Sequence, residues 1–345
     1  MITIFHWKHG SKSLDRVPPE ALPGLSAATL AKGDVLWIDL DQPTLEEEQS
    51  VFGSFFRLHT LSIEDVTRLR REPDALPHLP KVEEFPDYLF VIVNPLTQQF
   101  LDVFQKSPMA DATEYATLTQ LSAVLTHEVL ITHHAVRLAC IDQVRAYICR
   151  HEAQIERGPD YVFHLILDNT VDEFAGVLDR VESSLDELES VIVGRPVPSF
   201  FLRLLRLKRQ IIVLRKTLIS EREVLVRLAR GEFELVDERE TIYYRNVYDH
   251  LVRFTELIEN SREMASDLMQ MYLSAQANHL NQIMKLLAMI STIVMPMTLI
   301  SGIYGMNFER LLPDKENYFG FEIAMGMMAL SGALSLAVFW WRRWL

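Results

Sequence analysis

The sequence predicts an α+β chain in three parts: an N-terminal α/β domain over residues 1–158, a helical stalk over 159–282, and a transmembrane region over 283–345. Three observations carry that expectation. Short β-rich runs alternate with helix-like stretches as far as about residue 158. From Asp160 to Tyr272 apolar residues recur at spacings of three and four, the period of a helix seam. Beyond them, two apolar stretches are long enough to cross a bilayer.

In the first part the β-rich runs are Ile2–Phe5, Val35–Leu40, Tyr88–Val93, Leu121–Leu125 and Val129–Thr132. Each is short, rich in β-branched or aromatic residues, and bounded by turn-forming residues. Thr44–Phe56 reads as a helix with an acidic first turn. Arg71–Pro80, rich in proline and charge, reads as a surface loop.

In the second part Leu167, Val171, Phe174, Leu178, Val181, Leu185, Leu188 and Ile192 form a heptad seam. Its polar positions are acidic: Asp168, Asp172, Glu173, Asp179, Glu182, Asp186, Glu187 and Glu189. Gly194-Arg195-Pro196 breaks that helix. The next seam is Leu204, Leu207, Ile211, Leu214 and Leu218, with a basic outer face that includes Arg203, Arg206, Lys208, Arg209 and Arg215. An acidic helix joined by a short turn to a basic one predicts an antiparallel hairpin paired by opposite charge. Gly231-Glu232 marks the next turn. From Thr241 to Met295 there is neither proline nor glycine, and the seam Val247, Leu251, Phe254, Ile258, Ala265, Leu268, Tyr272 runs on into apolar sequence. Continued to Ile300, this single helix is roughly 90 Å long, well beyond one membrane thickness.

In the third part the predicted crossings are 283–304 and 321–341, joined by an acidic external loop over 305–320. Arg342 and Arg343 follow the second crossing within the cluster Trp340, Trp341 and Trp344, an aromatic belt with a positive end. The N-terminus MITIFHWKHG lacks the apolar core of a signal peptide. Both features predict a multi-pass protein of the cell inner membrane with cytoplasmic N- and C-termini.

Composition narrows the function classes. A net charge of −13 argues against nucleic acid as a partner, because phosphate binding needs surplus Lys and Arg. An acidic surface favours divalent cations instead. Cys140 and Cys149 form no metal or disulfide pattern and suit a reducing compartment. No GxxxxGK[ST] phosphate loop exists, and no nucleophile triad or paired catalytic carboxylates stand out. The chain is therefore expected to be no enzyme and to need no organic cofactor.

Two crossings cannot enclose a water-filled path, so conduction requires self-association. Asn281, Met284, Ala288, Ser291, Met295, Thr298 and Gly302 fall on one stripe of the first crossing. A small and polar stripe on a Leu/Ile-rich helix marks close packing or a pore wall. The amide of Asn281 favours the pore, since it needs partners or water at membrane depth.

Tyr304-Gly305-Met306-Asn307-Phe308 at the outer end of the first crossing resembles the YGMNF signature of the CorA magnesium-transport family. The resemblance spans nearly the whole chain, with Met295-Pro296 and Thr298, Tyr243–His250, and Ile63-Glu64-Asp65-Val66 as further landmarks. It implies a homopentameric funnel in the lipid bilayer. Mg²⁺, with Co²⁺ and Ni²⁺ as secondary ions, enters past Gly305, Met306 and Asn307 at the outer mouth. Oxygens that hydrogen-bond the water shell suit Mg²⁺, which sheds water reluctantly. Asn281 matches the family's polar ring, and Met284, Leu287 and Met295 match its apolar constrictions. The resemblance also implies regulatory Mg²⁺ between neighbouring subunits, with Asp65 on one side and Asn246 facing it. The family's best-known pattern has Asp where Asn246 stands, so feedback inhibition is expected to be weaker, or the site shifted toward Asp249 and Asp65.

Two rival readings differ in class. A ZntB-like Zn²⁺ transporter shares the fold, and His127, His133, His134, His151 and His164 resemble zinc ligands. Adjacent His133 and His134 on a strand point to opposite faces, however, and that subgroup departs from GMN where this chain keeps Met306. A non-conducting, membrane-anchored metal sensor needs no stripe such as Asn281–Gly302.

Overall fold

The computed structural model describes residues 1–24, 30–73, 75–106, 117–192, 198–306 and 319–344. They form two compact units, Met1–Met269 and Gln270–Leu345, with the division inside one long helix.

The first unit holds a seven-stranded sheet of β1 (Ile2–Lys8), β2 (Ser13–Val17), β3 (Val35–Asp41), β4 (Lys81–Glu84), β5 (Leu89–Val93), β6 (Leu121–Leu125) and β7 (Val129–His134), in the order β2-β1-β3-β7-β6-β5-β4. Every pairing is antiparallel except β3 with β7. Both faces of the central strands are covered, which is why they read as continuous apolar runs rather than alternations. Ile4, Leu36, Ile38, Phe90, Ile92 and Ile131 form a core with Val51, Phe52 and Val66. These come from α1 (Leu45–Gln49), the wider π-helical turn Ser50–Phe55 that follows it, and α2 (Thr60–Arg71). Thr44 caps α1 by accepting from the Glu47 amide, while Glu47 accepts from the Thr44 amide. The predicted helix Thr44–Phe56 is thus two pieces. The predicted loop Arg71–Pro80 is irregular between α2 and β4 at the described positions.

The alternate strand positions carry polar groups into the opposite face. Asp39 is fully buried and is held by Arg145, Thr132 and His134, while Thr132 also accepts from Trp37 Nε1 at 3.0 Å. Arg145 belongs to α4 (Ala139–Ile148), which follows α3 (Gln98–Lys106). These donors hold Asp39 below the usual carboxylate range against the opposing cost of its burial.

Three long helices complete the described chain before the second unit: α5 (Pro159–Ile192), α6 (Pro198–Ala229) and the first part of α7 (Glu238–Gly305). The predicted seams are their buried stripes, from Leu167 to Leu188, Leu204 to Leu218, and Val247 to Leu268. The Gly194–Pro196 break lies outside the described residues. The expected pairing of acidic α5 with basic α6 takes a different form at Arg215, whose ion pair runs to Glu259 of α7. The start of α7 is fastened by Arg157, whose guanidinium bonds Glu240 at 2.7 Å and stacks between Tyr161 and Tyr243 at 4.1 and 4.3 Å. Tyr244, fully buried, donates to the Asp160 carbonyl at 2.7 Å.

Candidate functional site

Helix α7 is 68 residues long and passes through Pro296 without a break. Leu268 is its last buried residue. Past it Leu280, Ile283, Met284, Leu286, Leu287, Ile290, Val294, Met295 and Leu299 are all exposed. Helix α8 (Phe319–Trp341) is likewise apolar and mostly exposed. Uncovered apolar surface on this scale is rare in water-soluble monomers, and both helices are long and apolar enough to span a hydrocarbon core.

Within this unit the two helices pair along defined stripes. On α8 the covered positions are Ala324, Met328, Ser331, Gly332, Ser335 and Phe339, three or four apart. On α7 the partly covered positions include Lys285, Met289, Ile293, Met297 and Ile300. They meet at Gly332, where a Cβ would stand 2.6 Å from Met297 Cε. Lys285 Nζ lies 5.6 Å from the Trp344 ring, which stacks on Phe339.

The stripe singled out in the sequence occupies the other side of α7. Asn281, Met284, Ala288, Ser291, Met295, Thr298 and Gly302, together with Leu287, are all exposed. At about 100° per residue their mean direction lies roughly 200° from that of the α8-facing residues, so the two stripes are diametrically opposed. Of the motif at the helix end, Gly305 closes α7 and Met306 continues it by a tight turn, its N–H on the Ile303 carbonyl at 3.2 Å. Asn307 lies outside the described residues.

In the first unit, Asp65 on α2 is engaged by Lys81 at 2.7 Å and His78 at 3.2 Å. Asn246 and Asp249 stand exposed on α7. The described contacts within one chain do not bring Asp65 to either. Sequence reasoning did not join a different group. Asp168 and Asp172, one turn apart on α5, meet His250 of α7, with one ligand atom from each within 4.8 Å of the others. His250 Nδ1 lies 3.8 Å from Asp172. Burial and the Asp172 charge raise the Asp168 carboxyl above its ordinary range, and His250 opposes the shift. The signal was present as an i, i+4 acidic pair beside one seam and a histidine beside another. Only the register between the two helices was missing.

A family model described as CorA-like Mg²⁺ transporter protein matches residues 32–343. The chain belongs to the CorA family. The cobalt/magnesium transport protein CorA of Thermotoga maritima is 30% identical over 310 residues, which cover 90% of this chain and 83% of that protein. The complete structure of the CorA magnesium transporter from Methanocaldococcus jannaschii superposes with a TM-score of 0.77 at 21% identity, covering 98% of this chain and 97% of the other. The zinc transport protein ZntB of Photorhabdus laumondii is 25% identical over 176 residues, 51% of this chain and 52% of its own. CorA membership and the two apolar helices make the chain an integral membrane protein and a divalent-metal transporter, from a family of transporters rather than enzymes.

Within this CorA chain the histidines do not converge. His133 bonds Glu48 at 2.9 Å on one face of β7, and His134 faces Asp39 and Asp41 on the other. His164 is buried among Tyr161, Tyr243 and Tyr244, where burial and the Arg157 charge lower its imidazole to about 4.

Proposed function

We propose that this chain conducts Mg²⁺ into the cytoplasm, with Co²⁺ and Ni²⁺ as secondary ions, as a homopentamer of the inner membrane with both termini inside. In this reading residues 1–158 and 159–282 stand in the cytoplasm, 283–304 and 321–341 cross the bilayer, and 305–320 faces out. The observation that carries it is the opposition of stripes on α7. The side turned from α8 is the small and polar one, and a ring of copies leaves that side facing an axis.

Asn281, Ala288, Ser291, Thr298 and Gly302 then line the path, and Met284, Leu287 and Met295 form apolar necks. Gly305, Met306 and Asn307 receive the hydrated ion. Through such necks a hydrated ion passes only when they widen, which makes them gates by dewetting. The membrane potential supplies about 4.6 kcal/mol per 100 mV for a divalent ion, so inward flux needs no chemical fuel. Intracellular Mg²⁺ regulates the pore through α7, where Asn246 and Asp249 are free to ligate while Asp65 is neutralised by Lys81.

Purified protein in liposomes loaded with a Mg²⁺-sensitive dye tests this directly. We expect Mg²⁺ entry that Asn307→Ala abolishes. Zn²⁺ entry without Mg²⁺ moves the chain to the zinc branch, and flux of neither ion favours a sensor.

A further inference from the structure

The sheet face opposite the Ile4 and Ile38 core borders a cavity of about 310 Å³, at the lower end of the range of small-molecule sites. None of the residues named for the ion path or its regulation lines it. One wall is the β1–β2 hairpin, with Thr3 and Phe5 from β1 and Leu14 and Arg16 from β2. Alternate residues of a strand share a face, and Phe5 stands opposite Arg16 in the register, so these four side chains form one surface. The facing wall is the end of α4, with Arg145 and, one turn on, Cys149.

Three hydrogen-bond donors in these walls meet no acceptor of the described chain. Thr3 is 3% exposed, and its Oγ1 has no partner. Arg145 gives its terminal nitrogens to Asp39 and Asp142, while its Nε–H is buried without a partner. Arg16 is exposed and, among the described residues, has no counter-ion. Buried donors are normally satisfied, because an unpaired one costs its full desolvation. A ligand oxygen at this place satisfies them. Charge sets which oxygen it is. Arg145 is already offset by two carboxylates, so Arg16 supplies one unspent positive charge. Glu152, just after α4, also lines the cavity and disfavours a second negative charge. A phosphate monoester carries about −1.5 to −2 at neutral pH, whereas a carboxylate carries a single charge. Phe5 and Leu14 add apolar surface beside the donors.

We propose that this cavity binds a small organic monocarboxylate, its oxygens taken by Arg16, Thr3 and the Arg145 Nε–H and its apolar body lying on Phe5 and Leu14. A charged oxygen shared among several donors is held more strongly than by a neutral pair. The structure also carries a reporter of occupancy. Cys149 is exposed at the cavity, whereas Cys140, the other cysteine, is fully buried. A bound ligand therefore shields the one thiol that a reagent can reach.

The test uses the full chain in lipid nanodiscs with EDTA at constant ionic strength. Cys149 is alkylated with iodoacetamide, a neutral reagent, and its rate is followed by peptide mass spectrometry. Benzoate is the probe, with benzamide, the same shape without the charge, and inorganic phosphate as comparisons. We expect benzoate to slow alkylation saturably, with half-protection at about 1–10 mM, where benzamide and phosphate give little. Arg16→Gln is expected to raise that concentration about tenfold, and Thr3→Val, which replaces the hydroxyl by a methyl, several-fold. Arg16 is exposed on an edge strand, so its variant keeps the fold, and the benzoate and benzamide arms need no variant at all. Equal protection by benzamide, stronger protection by phosphate, or an unchanged response in Arg16→Gln overturns the proposal. So does an alkylation rate that benzoate leaves untouched well above the expected concentration.

Discussion

The two ends of α7 belong to one unbroken helix and solve opposite problems. Before Leu268 it is an amphipathic helix of a water-soluble unit, with Tyr244, Val247, Leu251, Ile258 and Ala265 completely covered by the same chain. After Gln270 no position is buried, although the residues are more apolar. Burial in the first half is settled within one chain, whereas the second half is left uncovered by its own chain. The difference shows why apolar periodicity locates helices equally well in both halves but names the neighbour only in the first. In water a seam needs one covered side. In a bilayer every side is apolar, and the informative residues are the small and polar ones.

The largest effect that tests this contrast is truncation of a seam residue. Leu251→Ala deletes a fully buried side chain and is expected to cost about 2–5 kcal/mol, read as loss of the folded first unit in proteolysis and melting. Leu286→Ala removes the same atoms from an exposed position of the same helix. In detergent its melting temperature is expected to stay at the wild-type value, within about 0.5 kcal/mol. Equal losses at both sites would mean the second half is packed within one chain after all.

The unequal legibility of the two units has the same origin. Five strands were readable because covering both faces of a sheet leaves near-continuous apolar runs. Ser13–Val17 and Lys81–Glu84 were not, since these edge strands, SLDRV and KVEE, carry charge where a central strand carries Val or Ile. The π-turn after α1 was hidden because Phe52 and Phe55 suit an ordinary helix equally well. All three long seams were legible up to Leu268, while Tyr272, the next residue of the third, is only partly covered. The small and polar stripe was legible as a pattern. That it stands opposite α8 was not, because the sequence holds no register between the crossings. The partners of Asp65 were equally hidden: Lys81 and His78 lie beyond a proline-rich loop whose path is not periodic.

Next in size is the joint between the crossings. Gly332→Leu places side-chain atoms where Met297 already lies, 2.6 Å from the new Cβ. Overpacking of this kind costs about 1–3 kcal/mol. Cysteine cross-linking across the joint is expected to weaken, and Mg²⁺ flux to fall, while the first unit keeps its melting behaviour. Ala333→Leu, next to it on an exposed position, serves as the control and is expected to leave both unchanged. Should Gly332→Leu instead unfold the first unit, the independence of the two halves fails.

The smallest effect is the most discriminating for regulation. Asp65 was expected to hold a regulatory ion together with the exposed face of α7, yet its carboxylate already receives Lys81 at 2.7 Å, and Lys81 also reaches Glu83 at 2.8 Å. Burial opposes the charge of Lys81, and the bonds from Asp65 and Glu83 raise its ammonium above the ordinary range in spite of it. A divalent ion arriving at Asp65 must displace that ammonium. Asp65→Asn breaks a partly exposed pair and is expected to change stability by less than about 1 kcal/mol. In the flux assay it should leave inhibition by internal Mg²⁺ nearly unchanged. Asp168→Asn, in the group that meets His250 without an intervening lysine, should shift the inhibiting concentration several-fold. The reverse order, with Asp65 decisive and Asp168 silent, would return regulation to the face of α2 and make the lysine a mobile placeholder rather than a fixed counter-ion.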